Sequence, residues 1–481
     1  MRSRQLVRTS ALIAALARWG WGLGGQAWAH EARNTLVPPG QSGYLPGYAP
    51  DRIILVSTED PARSQVVAWR TAPGGSTQAV AQLVIAGDSP GLHLAASMVE
   101  GSSRLLDSGN GPALHHRVRF EGLMPDTLYA YRVRGHDTWS EWLQFRTAPE
   151  GFLPFSFLYF GDAQNSVKSH FSRVLREGWR GSPGVRLMLF AGDMVNTREG
   201  NHDDEWGEWF DAGGFLHGMV PTLPVAGNHE FINTEYPDGT ETYHLSPAFT
   251  HNLPVAGNGP EGLEETVYAV RWADVLFVAL DSQRALDDEA LARRQAEWLD
   301  GVLSGGSYRW IIVSHHHPLF SVARGRDNPL LREHWLPVYR RHGVDLVLQG
   351  HDHAYGRGPN LPEGVNLADG DGGPVFVVSV AGPKMYLASE NAGEAFARLG
   401  EDVQLYQLIH VEADRLRFES RTPTGTLYDA FELRREADGS RRLLDLSEGL
   451  GPASTCANPA PPRPGRCWNG TELVDGPKPS P

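Results

Sequence analysis

Lysine is almost missing from this chain: Lys168, Lys384 and Lys478 are the only three, and the remaining basic residues are arginines. The skew fits a GC-rich genome and says little about function. Cysteine is just as scarce, with Cys456 and Cys467 both near the C-terminus. A thiol-free body excludes a cysteine nucleophile, an iron–sulfur cluster and a thiolate-held zinc. Long hydrophobic runs are lacking too, since nothing approaches the ~18 uninterrupted apolar residues of a membrane span. Positive charge is in deficit, with a formal net charge of -14. That argues against a nucleic-acid duplex as partner, because phosphate backbones are held by clusters of Lys and Arg. A small phosphate ester is a different case, since bound metal ions can supply positive charge locally.

What is present begins with a leader-like start. Arg2, Arg4 and Arg8 precede the apolar run Ala11 to Ala17, and Ala27-Trp28-Ala29 offers a small-residue cleavage site. Residues 1–29 thus read as a signal peptide, which places the mature protein outside the cytoplasm, secreted or periplasmic. In that setting the spacing of Cys456 and Cys467 predicts one disulfide closing a tail loop.

At 481 residues the chain is too long for one ordinary domain. Residues 30–49, rich in Gly and Pro, read as a linker. Residues 50–148 carry short β-branched and aromatic runs separated by turns, among them QVVAWRT and TLYAYRVRG, the pattern of a small all-β sandwich. Trp69 is a candidate core residue there, and Tyr129 with Tyr131 is placed as in a tyrosine corner, so the segment resembles a fibronectin type III-like domain. Over 152–436, apolar strands alternate with helical stretches, which predicts a layered α/β domain. The helix expected over 287–303 has Leu291, Trp298, Leu299 and Val302 as its buried face, with Gly305-Gly306 as its stop. Residues 437–481 form a Pro-rich tail.

Five predicted strands in the α/β part end in chemically loaded segments: GDAQ, AGDMVN, AGNHE, VSHHHP and QGHDH. Open α/β sheets gather such loops at the carboxyl ends of their strands. The loops bring Asp162, Asp193, Asn228, His316, His351 and His353 within reach of one crevice. A two-metal hydrolytic site needs ions roughly 3.5–4 Å apart and one carboxylate facing both. His, Asp and Asn donors without thiolate suit Zn, Fe or Mn. Each segment alone is an ordinary turn or histidine cluster; the five in order are not.

Order and spelling resemble the purple acid phosphatase-like branch of the metallophosphoesterase superfamily, which carries GD, GDxxY, GNH(E/D), VxxH and GHxH after an N-terminal fibronectin-like domain. The resemblance implies that Asp162, a bridging Asp193 and His353 hold one ion. It likewise implies that Asp193, Asn228, His316 and His351 hold the other, with His229 beside the leaving oxygen. The implied activity is hydrolysis of phosphate monoesters by attack of a metal-bound hydroxide. The alternatives are a phosphodiesterase or nucleotidase and, less favoured because all six principal ligands are present, a non-catalytic exported binding protein. The chain departs from the pattern at Asn196, where the family's tyrosinate ligand should stand. A neutral amide predicts no purple colour and a site that accepts divalent ions. Asn196, His315 and His317 are additional candidates for the metal site or its surroundings. Arg357 is a candidate phosphate contact, and His202-Asp203-Asp204-Glu205 reads as an acidic helix start rather than a third metal cluster.

Overall fold

The computed structural model describes residues 34–481 apart from 75–76, 199–202, 237, 239, 359–373, 438–439, 456–465, 469–472 and 476–481. The expected leader and the expected Cys456–Cys467 disulfide therefore lie outside the described residues.

The first domain is built from two antiparallel sheets. One holds Asp51–Val56, Gln65–Thr71, Gly111–Phe120 and Ser102–Ser108, and the other Ser97–Glu100, Val80–Ile85, Leu128–Val133 and Leu143–Arg146. Alternating side chains from both, including Leu55, Val67, Trp69, Val118, Phe120, Tyr131 and Phe145, fill the space between them. The hydroxyl of Tyr129 accepts the N–H of Met124 at 2.9 Å, tying the strand start to the preceding turn.

Part of the opposite face of the first of these sheets is covered by the following domain. Ile54, Val56 and Ala68 point into a core shared with Phe160, Phe190, Trp206 and Trp209 of the following domain. Val56 pairs in parallel with Thr222, so the sheet runs on into the second domain. The sequence pattern predicts two bodies in tandem, and the structure joins them through one sheet. Strand pairing at that junction spans more than 160 residues, beyond what a local pattern carries.

The second domain has two sheets face to face, each covered outside by helices. In one, Phe155–Phe160, Leu187–Phe190 and Thr222–Pro224 run parallel. In the other, Val275–Ala279, Trp310–Ser314, Leu346–Gln349 and Val375–Val378 run parallel. These strands are almost wholly apolar, with Ser314 and Gln349 as polar ends, because both of their faces are buried. Phe157, Tyr159 and Leu189 meet Phe277, Ile312, Leu348 and Val377 between the sheets. Each such side chain contributes on the order of 1.5–3 kcal/mol by leaving water.

Helices Val167–Gly181 and Asp203–Gly213 cover the first sheet, and Glu289–Ser304 with Pro329–His342 covers the second. In Glu289–Ser304 the fully buried stripe is Ala292, Gln295, Ala296, Leu299 and Leu303. Leu291, Trp298 and Val302, expected as its face, are only partly buried and flank that stripe. The small Ala292 and Ala296 let the helix approach the sheet closely, which an inventory of large apolar residues overlooks. Asp288 caps the start by accepting from Ala290 at 2.8 Å, and Gly305 ends it.

The expected domain edges are also occupied. Tyr44, within the expected linker, donates to Asp211 at 2.9 Å and accepts from Lys168 at 3.2 Å, so this stretch is docked on helices. The strand Arg441–Asp445 pairs with Leu427–Arg435, which places the expected boundary at residue 436 inside a hairpin.

Candidate metal centre

The carboxyl ends of the parallel strands of both sheets converge on one crevice. Phe155–Phe160 leads into Asp162, Leu187–Phe190 into Asp193, and Thr222–Pro224 into Asn228 and His229. Trp310–Ser314 leads into His316, and Leu346–Gln349 into His351 and His353. A parallel bridge between Asp162 and Val380 holds the ends of the two sheets together.

Tight turns deliver these side chains. Asp193, His351 and His353 all sit in the left-handed region, at φ 51°, 73° and 48°, where non-glycine residues are uncommon and strained. The glycines before them are needed for space as well. A Cβ on Gly192 would lie 2.6 Å from His316 Nδ1, and one on Gly350 would collide with the Asp162 carboxylate. Backbone donors then fix the acids: His351 N–H donates to Asp162 Oδ1 at 2.7 Å and His229 N–H to Asp193 Oδ1 at 2.9 Å.

Two groups of side chains result that can each hold a metal ion. They are Asp193, His316 and His351, and Asp162, Asp193 and His353, with ligand atoms in each group within 4.8 Å of one another. Asp193 belongs to both. Asn228 Oδ1 joins the first group, 3.1 Å from His316 Nε2 and 2.9 Å from His351 Nδ1.

The histidine tautomers fit metal binding. His316 Nδ1 donates to the Ala191 carbonyl at 2.8 Å and His353 Nδ1 to the Lys384 carbonyl at 2.9 Å. The Nε2 atoms of both are thereby turned as lone-pair donors toward the acids. His353 Nε2 lies 3.3 Å from Asp162 Oδ2, a buried oxygen with no hydrogen-bond partner. A buried carboxylate oxygen without a donor, beside an imidazole nitrogen, is a place a cation would satisfy.

Charge tells the same story. Burial, with the charge of Asp193 beside it, pushes the Asp162 carboxyl up to about 7. Burial opposes the charge of His316 as well, yet Asp193 and Asp162 raise it to about 9. His351 and His353 are driven down by burial and stay neutral, the form a ligand must have. An ion would take the place of the His316 proton, and two buried carboxylates with three imidazoles and an amide oxygen form a donor set suited to divalent or trivalent first-row ions.

The other expected residues separate clearly. The His317 ring packs against His351 at a tilt of 47°, with ring centroids 4.1 Å apart, and its Nδ1 is 2.9 Å from Ser282 Oγ. His315 turns away from the centre and packs edge-on against Trp335, its ring buried in the helix-side core. His229 is buried with Nδ1 hydrogen-bonded to the Asn196 carbonyl and Nε2 3.9 Å from Asp193 Oδ2. Burial lowers it to about 3. Asn196 is buried, and its Oδ1 has no partner.

Arg357 is not at the crevice in any binding sense. Its guanidinium is spent on Asp429 at 2.7 and 3.1 Å and on Asp445 at 3.0 Å. Within the acidic run, Asp203 pairs with Arg52 at 2.7 Å and Arg70 at 3.0 Å, and Glu205 binds the Asn196–Thr197 backbone.

Three residues matter here that motif reading passed over. Glu230 accepts N–H groups from Gly227, Asp193 and Met194 at 2.7–2.8 Å and so clamps two ligand loops. Its place directly after His229 was the available signal. Glu205 likewise accepts backbone N–H groups, from Asn196 and Thr197, whereas Gln164 donates from Nε2 to Asp193 Oδ2 at 3.1 Å and could have been found as the polar residue two places after Asp162 on the same loop.

Comparison with known proteins follows this geometry. Residues 50–147 match the family described as purple acid phosphatase, N-terminal domain, and residues 155–355 match calcineurin-like phosphoesterase. A purple acid phosphatase of Glycine max is 28% identical over 282 residues, 54% of this chain and 56% of that protein. The Fe(3+)-Zn(2+) purple acid phosphatase 12 of Arabidopsis thaliana is 27% identical over 263 residues, covering 50% and 52%. The structure of purple acid phosphatase PPD1 from yellow lupin seeds superposes with a TM-score of 0.65 at 16% identity, covering 81% of this chain and 75% of that one. The two sheets and the shared-acid site define a metallophosphoesterase. Within that superfamily, residues 50–147 and 155–355 resemble the tandem of the purple acid phosphatase-like branch. It spans about half the length of the first curated relatives it matches. No helix among the described residues is long and apolar enough to cross a membrane.

Proposed function

We propose that this protein is an exported hydrolase of phosphate monoesters that works with two metal ions. The observation that carries the reading is the sharing of buried Asp193 between two donor groups. Asp162, Asp193 and His353 would hold one ion, and Asp193, Asn228, His316 and His351 the other. The names of the plant relatives support a phosphatase, and one of those names specifies iron with zinc. Iron, zinc and manganese all suit the donors. Export rests on the leader-like residues 1–29.

Bound there, the ions would neutralise the phosphoryl oxygens and make a water nucleophilic at neutral pH. The chain's own contributions are placement and proton control. The carbonyl anchors at Ala191 and Lys384 fix the orientations of His316 and His353 before substrate arrives. The Asn196 carbonyl holds the proton of His229 on Nδ1, leaving Nε2 toward the crevice. A phosphate dianion brought beside that imidazole favours its charged form, which donates from Nε2 to the leaving alkoxide. Among the described residues the first domain carries no metal-ligand cluster, and it positions the second through the shared sheet.

The test is hydrolysis of p-nitrophenyl phosphate against bis(p-nitrophenyl) phosphate by chelator-treated protein, with Mn, Zn or Fe restored. The monoester should be the better substrate by tenfold or more. A better diester would make the protein a phosphodiesterase, and inactivity with every metal and ester would return it to a binding role.

A further inference from the structure

The hairpin of Ser102–Ser108 and Gly111–Phe120 sets Arg104 opposite His115 and Ser102 opposite Arg117. The neighbouring strand sets Ala68 opposite Arg117 and Arg70 opposite His115. Alternation along the strands therefore puts Ser102, Arg104, His115 and Arg117 on the face that Ala68 turns toward the second domain. The short helix Pro247–Asn252 packs on the hairpin there, with the rings of His115 and His251 edge to face at 5.5 Å. Between helix and hairpin lies a cavity of about 30 Å³, whose lining includes Ser102, Arg104, His115, Arg117, Thr250 and His251.

We propose that this cavity at the domain junction binds a phosphate-class oxyanion through Arg104, Arg117 and His115, separately from the metal centre. The inference does not rest on the two-metal reading above.

The charge around the cavity is one-sided. Arg119, on the same face, is paired with Glu59 and Glu121. Among the described residues, Arg104 and Arg117 have neither an ion pair nor a hydrogen bond. No carboxylate lines the cavity; Asp203 and Glu265, whose charges reach His115 and His251, stand outside the lining. Like charges facing each other across two strands repel. Burial, together with Arg104 and Arg119, holds the Arg117 guanidinium below its ordinary range. An anion between the two guanidiniums reverses the sign of that interaction, and each donates to an oxygen.

His115 supplies a third donor. It is 6% exposed, and its Nε2 is buried without a hydrogen-bond partner. A buried polar atom left unpaired is costly, and an oxygen seated in the cavity offers it an acceptor. The volume holds about two water molecules, and exposed Ser102, Arg104 and Arg117 form its mouth. An oxyanion therefore enters oxygen first, with its remaining atoms toward solvent. That geometry serves both a free ion and the terminal phosphoryl group of an ester.

The experiment titrates chelator-stripped protein with inorganic phosphate, inorganic sulfate and methyl phosphate, by calorimetry. Wild-type protein should bind one equivalent of phosphate with a Kd of about 1 mM or tighter, within reach of two charged hydrogen-bonding groups. Arg104→Gln and Arg117→Gln, which lose charge and keep most of the side chain, should each weaken binding about tenfold, the worth of one such group. The double variant should bind none. Phosphate should raise the urea midpoint of wild-type protein and leave that of the double variant unmoved. Methyl phosphate bound as well as phosphate would assign the site to an esterified phosphoryl group, and binding of the inorganic ions alone would assign it to the free ion; both support the site. Absence of saturable phosphate binding in stripped wild-type protein would overturn the proposal. So would a double variant that binds phosphate like wild type.

Discussion

The carboxylate of Glu205 accepts the backbone N–H of Asn196 at 2.5 Å, and the carbonyl of that same Asn196 receives Nδ1 of His229. Glu205 also accepts from Thr197 through its N–H at 2.9 Å and its hydroxyl at 2.6 Å. Two residues earlier on the helix, Asp203 is held by Arg52 and Arg70 of the first domain. A short path of hydrogen bonds thus connects the first domain to the orientation of the prospective acid.

Glu205→Ala should therefore damage the acid more than the metal centre. We expect unchanged metal content and a loss of turnover on alkyl phosphates at least tenfold greater than on p-nitrophenyl phosphate, whose leaving group needs little protonation. The variant should also lose about 2–3 kcal/mol of stability, because one buried and two half-buried donors lose their shared acceptor. Equal losses on both esters would assign Glu205 a structural part only.

Acid should destabilise the fold through histidines remote from the metal centre. His116 is buried between Thr71 Oγ1 at 2.8 Å and Ser103 Oγ at 2.7 Å, and burial pushes it down to about 4. His217, stacked on Trp209, is likewise pushed by burial to about 4. Unfolded histidine titrates near ~6.5, so the unfolded chain binds the proton more tightly than the fold does. Stability contributed by the neutral rings is complete above that value and is lost as pH falls from it toward 4. At pH 5 the loss is up to about 2 kcal/mol for each ring. Urea unfolding at pH 7 and 5 should show a smaller difference in His116→Gln than in wild type, and equal differences would contradict this.

Arg357 should prove structural. Its guanidinium and the Asp429 carboxylate are both fully buried, with Tyr355 donating to Asp429 at 2.7 Å. The pair ties the strand Tyr355–Gly358 of one sheet to Leu427–Arg435 of the other. Arg357→Met leaves Asp429 buried without its countercharge, a loss of about 3–5 kcal/mol. Chemical denaturation should register it, while turnover per folded molecule should remain near wild type. A selective rise in KM without destabilisation would instead make Arg357 a substrate contact.

The resemblance puts Asn196 where a phenolate ligand would stand, and this has an optical consequence. Iron-loaded protein should show no intense visible charge-transfer band, as read directly by absorption spectroscopy. A strong band in wild type that disappears in Asn196→Ala would refute the assignment.

The ligand loops were legible in the sequence because glycine, a short polar side chain and a preceding apolar strand are all local signals. Asp162, Asp193, Asn228, His316, His351 and His353 lie together for that reason. What could not be read depends on contacts between distant segments. Gln164 gains meaning from His353, Arg357 from Asp429, and the continuity of the domains from one pairing of Val56 with Thr222. His315, His316 and His317 are indistinguishable by type; only the turn after Trp310–Ser314 decides that His316 faces the acids while His315 faces Trp335.

The central claim is that two ions, sharing Asp193, are required for phosphate release. Titrating chelator-stripped protein with Mn(II) while following p-nitrophenyl phosphate hydrolysis tests it most directly. Activity should climb from near zero and level off at two equivalents per chain, with Asp193→Asn inactive throughout. Activity that levels off at one equivalent, or that persists in the stripped protein, would contradict it.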